Sequence, residues 1–186
     1  SPPELCAIDL LVQAEHGPDG LAWLVTWSEE MAAAVDEAVE RLVARSPRRA
    51  DLESTLAGGG YAVLVDGPGQ AAAVVDVVAP EHLELLVEPE VAEPLLEAVS
   101  AAGAVFVGPS SPASVGDYLA GPNHVLPTNR TARFASALRV DDFVRHLHAV
   151  SVEPQALADL GRHVVTLAEV EGLPAHAESV RRRWAG

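Results

Sequence analysis

Glu81 and His82 are the pair in this sequence best suited to acid/base work, an imidazole that titrates near neutral pH beside a carboxylate able to activate water. Neighbours on a strand point to opposite faces, so the two share a site only if the chain bends. Pro80 just before them predicts such a bend. His16, Asp117, His124 and His176 form a second, dispersed group at element ends or in an irregular loop, where a parallel sheet collects its catalytic groups. Imidazole and carboxylate together suit Zn²⁺, but no spacing matches a compact zinc signature. A metal site and a set of exposed or capping histidines both remain open. His146, His148 and His163 are read as ordinary residues of regular elements.

Two glycine groups and one cysteine carry less. Gly58-Gly59-Gly60 lies after a helix and before a strand, the reverse of the order a dinucleotide fingerprint needs, and reads as a flexible turn. Gly67-Pro68-Gly69 follows a strand, but the proline removes an amide and no third glycine stands at the right offset, so it too reads as a turn. Cys6 has no partner for a disulfide and reads as a small buried hydrophobe.

The elements that must hold these residues alternate. Helices are expected over Glu4–Glu15, from an N-cap at Ser28 to Arg45, and over Arg48–Ala57, Gln70–Val78, Val91–Ala101, Pro154–Val170 and Pro174–Trp184. Strands are expected at Leu21–Val25, Tyr61–Val65, Leu83–Val87 and Ala104–Val107. Strands separated by helices predict an α/β fold with a parallel sheet. Gly108–Arg133 is expected to be irregular and functional, since it is rich in Gly, Pro, Ser, Thr and Asn yet carries Asp117, Asn123 and His124.

Composition narrows the function classes. All 12 basic residues are Arg, which excludes Schiff-base, Walker-lysine and lysine-base chemistry within these 186 residues. A net charge of −15 argues against nucleic acid as a partner, and no apolar run approaches the ~18 residues of a membrane span. A cytoplasmic small-molecule or protein-binding role is the expectation.

Four segments, taken together, resemble the histidinol dehydrogenase family. They are Asp9–Asp19 (DLLVQAEHGPD), Ala79–Glu84 (APEHLE), Val115–Tyr118 running to Gly121–Thr128 (VGDY, GPNHVLPT), and Glu171–His176 (EGLPAH). The resemblance implies that Gln13, His16, Asp117 and His176 ligate zinc, that Glu81 and His82 are the catalytic pair, and that His124 and Glu171 contact the substrate. His82 and the four zinc ligands would contact it too. It implies oxidation of L-histidinol through L-histidinal to L-histidine with two NAD⁺. It further implies a homodimer in which Glu171 and His176 serve the other subunit's site.

The implied fold is an incomplete Rossmann-like parallel sheet with flanking helices over residues 1–140, followed by a small C-terminal helical tail over 141–186. Family chains carry an N-terminal half with the NAD⁺ site and part of this sheet, and neither is expected within these residues. A truncation, a split gene product with its N-terminal half supplied separately, and a natural short variant are all compatible, and the chain alone is expected to be inactive. Two other readings stay open: a non-catalytic zinc-binding or dimerisation module, and a related dehydrogenase for another small polar alcohol such as a sulfonated diol.

Overall fold

A computed structural model of the chain describes residues 1–184, which form two compact units, one over residues 1–142 and one from Phe143 onward.

In the first unit, α1 (Pro3–Ala14) begins with a proline at a position that needs no amide, and it buries Ala7, Leu11 and Ala14 along one face. That face packs against α2 (Glu29–Arg45) and α3 (Arg49–Gly59) in two adjoining clusters, one of Leu11, Ala14, Val43 and Leu52, the other of Ala7, Val35 and Ala38. The Ser28 hydroxyl accepts from the Met31 amide at 3.1 Å, the expected N-cap. Cys6 lies partly buried against the second cluster, and burial pushes its thiol above its usual range, which disfavours the reactive thiolate.

The sheet differs from the single one predicted. Strands β1 (Ala22–Thr26) and β2 (Gly60–Leu64) pair in parallel, from Ala22 opposite Gly60 to Thr26 opposite Leu64. Strands β3 (His82–Leu85) and β4 (Ala104–Val107) form a separate parallel pair, from His82 opposite Ala104 to Leu85 opposite Val107. Helix α4 (Pro68–Val78) connects the two pairs, and α5 (Pro89–Ala98) connects β3 to β4. Ala72, Leu85 and Leu95 are the buried centre between them.

Several boundaries move for physical reasons. Gly58-Gly59-Gly60 is no flexible turn: Gly58 and Gly59 continue α3, and Gly60 opens β2. A Cβ on Gly59 would stand 2.2 Å from the Gly20 carbonyl oxygen, so the glycine permits close contact with the segment entering β1. Pro68 and Gly69 form the first turn of α4. Helix α5 stops at Ala98, three residues short of the expected end, because Val99 is already extended.

The largest difference lies in Gly108–Arg133. This stretch contains α6 (Ala113–Tyr118) and a 3₁₀ turn at Thr131–Arg133. Arg130 and Arg133 both donate to the Val77 carbonyl at the end of α4, pinning the loop to that helix.

In the second unit α7 (Pro154–Val170) and α8 (Pro174–Trp184) form a helical hairpin closed over Val165, Ala168 and Ala177. Gly172 makes the turn with φ of 69°. His163 lies exposed on α7; His146 and His148 stand in an exposed irregular segment rather than in a regular element. No helix among the described residues is long and apolar enough to cross a membrane.

Candidate active site

The first residue of β3, His82, is the centre of the site, with its side chain only 7% exposed. Its Nδ1 lies 3.2 Å from Oε1 of Gln13, on the last turn of α1. An Nδ1–H donated to that oxygen places the lone pair on Nε2. Nε2 is buried with no hydrogen-bond partner and faces Oδ1 of Asp117 at 3.6 Å. That separation is too long for a direct hydrogen bond. Two electron-rich atoms facing each other across a buried gap attract something positive, whether a proton on the imidazole, a donated hydroxyl hydrogen or a cation.

The backbone explains the convergence. Asp117 is the fifth residue of α6, and α6 rests on the ring of Phe106 in β4, where a Cβ on Gly116 would come within 2.5 Å of the ring. The same ring lies 5.9 Å from the His82 imidazole, tilted by 39°, and walls one side of the site. His124 reaches α6 from the following loop, its Nδ1 3.3 Å from the Asp117 carbonyl oxygen.

Glu81 is placed differently from its neighbour. It lies outside the strand, where its carbonyl accepts from the Ala104 amide at 2.8 Å, and no hydrogen bond joins its side chain to His82. The bend expected at Pro80 is taken one residue earlier, by Ala79 at φ 48° and ψ 63°.

Glu84 and Asp9 were not singled out from the sequence. Glu84 Oε1 accepts from the Ala113 amide at the start of α6 at 2.8 Å, while Oε2 is buried without a donor. Burial pushes the Glu84 carboxyl up to about 7, against the pull of the Ala113 amide, and the neighbouring Asp9 carboxyl raises it further. The available signals were spacing: Glu84 is two residues beyond His82 on the same strand face, and Asp9 is one helical turn before Gln13.

The donors at hand suit zinc in part. Amide oxygen, carboxylate and imidazole are ligand types that fit, and Gln13 and Asp117 face the two ring nitrogens of His82, Gln13 at Nδ1 and Asp117 at Nε2. His16 stands exposed just beyond α1, its amide bonded to the Gln13 carbonyl. Glu171 and His176 belong to the second unit, both exposed, at the end of α7 and the start of α8. Among the described residues no three His, Cys, Asp or Glu side chains cluster closely enough to hold a metal ion.

Residues 1–184 match the family model described as histidinol dehydrogenase. The chain belongs to the histidinol dehydrogenase family. It is 46% identical over 182 residues to the histidinol dehydrogenase of Chlorobium chlorochromatii, covering 97% of this chain and 42% of that protein. To the Thermosynechococcus vestitus histidinol dehydrogenase it is 48% identical over 183 residues, again covering 97% of this chain and 42% of the relative. The crystal structure of histidinol dehydrogenase from Elizabethkingia anophelis superposes with a TM-score of 0.91 at 34% identity, covering 97% of this chain and 41% of that one. The chain therefore spans about two fifths of the length of these relatives, and across that span it has the family's α/β architecture.

Proposed function

We propose that this chain is the zinc- and substrate-binding C-terminal part of a histidinol dehydrogenase of histidine biosynthesis, acting in the cytoplasm. The reaction is the oxidation of L-histidinol through L-histidinal to L-histidine with two NAD⁺. The supporting observation is the buried His82, held by Gln13 at Nδ1 and open at Nε2 toward Asp117.

In this reading His82 Nε2 takes the alcohol proton as the substrate is oxidised, and the Asp117 carboxylate stabilises the resulting imidazolium. Glu81 assists attack of water on the aldehyde stage. His124 and Glu171 contact the substrate and orient it. Gln13, His16 and Asp117 would hold zinc, with His176 supplied by the second copy in a homodimer that shares its sites. When bound, zinc supplies a fixed point that orients the substrate's nitrogen ligands.

The glycine-rich segments of this chain do not fit a dinucleotide. Gly58 and Gly59 lie inside α3, and Pro68 removes an amide where α4 begins. NAD⁺, the hydride acceptor of the reading, is therefore assigned to no residue here.

The test combines this chain with a separately expressed N-terminal part of a family member. Bound zinc is measured, as is NADH formation from L-histidinol. His82→Gln is expected to lower turnover by about 10²–10⁴ while leaving bound zinc in place. Unchanged turnover sinks the base assignment, and a folded wild-type chain free of zinc sinks the metal assignment.

A rival reading is a non-catalytic zinc-binding or assembly module. Failure of complementation with intact zinc binding would decide for it. A panel of small polar alcohols, a sulfonated diol among them, tests the substrate.

A further inference from the structure

Asp9, Glu84 and Ala113 repeat, one step along each element, the arrangement of Gln13, His82 and Asp117. Each set takes one residue from α1, one from β3 and one from α6. Asp9 precedes Gln13 by one helical turn, Ala113 precedes Asp117 by one turn, and Glu84 follows His82 by two residues on the same strand face. Helix α6 has six residues, and its N-cap residue, Pro112, offers no side-chain acceptor. The acceptor for its first amide comes instead from Glu84, 29 residues away in sequence. A partly buried carboxyl with one oxygen lacking a donor is costly, and an apolar residue would fill the space without that cost. What an apolar residue cannot do is hold the Ala113 amide.

We propose that Glu84 is a positioning residue: by tying the first amide of α6 to β3, beside Asp9 of α1, it sets where Asp117 stands against His82 and Gln13. The proposal rests on the reading of Gln13, His82 and Asp117 as parts of one metal and substrate site. Carboxylates and amides behind a metal ligand typically tune its affinity by 10–100-fold.

Zinc alone is titrated into the full chain carrying Glu84→Ala, Glu84→Gln or Leu85→Ala, and crystal structures of the same variants are compared. Glu84→Ala is expected to weaken zinc binding by about 10–100-fold. Glu84→Gln keeps an acceptor for Ala113, gains a donor for Asp9, and is expected to bind zinc like the parent. Leu85→Ala removes a buried neighbour from the core and is expected to lower stability without changing zinc affinity.

If Glu84→Ala does not fold, Ala113→Pro removes the donor from the other side at a helix position that accepts proline. Should the parent chain bind no zinc, the metal reading fails by itself, and the crystal structures then decide the proposal. The separation of Asp117 Oδ1 from His82 Nε2 is expected to open in Glu84→Ala and to stay near 3.6 Å in Glu84→Gln. Parent-like zinc affinity or an unmoved Asp117 in Glu84→Ala overturns the positioning role, as does a Glu84→Gln chain as impaired as Glu84→Ala.

Discussion

Replacing Glu84 by Gln removes a titration that the folded chain shifts from the ordinary carboxyl value of 4.5 to about 7. Between those values the native chain holds a proton that the unfolded chain has released. The contribution to stability is thus complete below about pH 4.5 and is lost as pH rises through about 7. A wholly buried group would lose about 3 kcal/mol over that interval. Water reaches part of this carboxyl, and screening reduces the expected loss to about half, roughly 1.5 kcal/mol.

Glutamine cannot ionise, so this component vanishes in Glu84→Gln, while repulsion from the net charge of −15 affects both proteins alike. Urea unfolding at about pH 5 and pH 8, followed by fluorescence of Trp23 and Trp27 in the first unit, measures the difference. The parent should lose about 1 kcal/mol more than Glu84→Gln between the two conditions, since part of the loss already precedes pH 5. Equal losses in both proteins refute the raised Glu84 carboxyl.

Two further outcomes follow from packing. Leu52 is 2% exposed where α1, α2 and α3 meet, and Leu52→Ala should cost about 2–5 kcal/mol in chemical denaturation. Gly116→Ala drives a methyl to within 2.5 Å of the Phe106 ring, so α6 or the ring must shift. It should lower stability by about 1–3 kcal/mol in the same assay, and crystallography should show Asp117 displaced from His82.

Much of the fold was legible because its signals are local. Ser28 followed by two glutamates marks the start of α2, and α7 and α8 begin at Pro154 and Pro174 as expected. Strand β4 matches its apolar run, Ala104–Val107. Helix α6 was missed because it lacks local support. It is short, it contains Gly116, and its cap comes from a distant strand.

The site shows the same division. Gln13 came into view only through the family resemblance, and the approach of Asp117 to His82 depends on Phe106, Gly116 and Glu84 together. The glycines at 58–60 read as a turn because composition does not show that Gly20 presses against Gly59. The separation into two strand pairs likewise depends on tertiary pairing that alternation cannot reveal.

The short α6 also sets an order of events. Isolated helices below about 12–15 residues are marginal in water, so a six-residue helix capped from β3 takes shape only after that strand is in place. Gln13 rides on a helix whose buried face is held by α2 and α3, while Asp117 rides on one that depends on β3 for its cap. Substitutions that loosen α6 should therefore leave the refolding rate nearly unchanged and speed unfolding. The approach of Asp117 to His82 should then be completed late in folding and be the first contact to open.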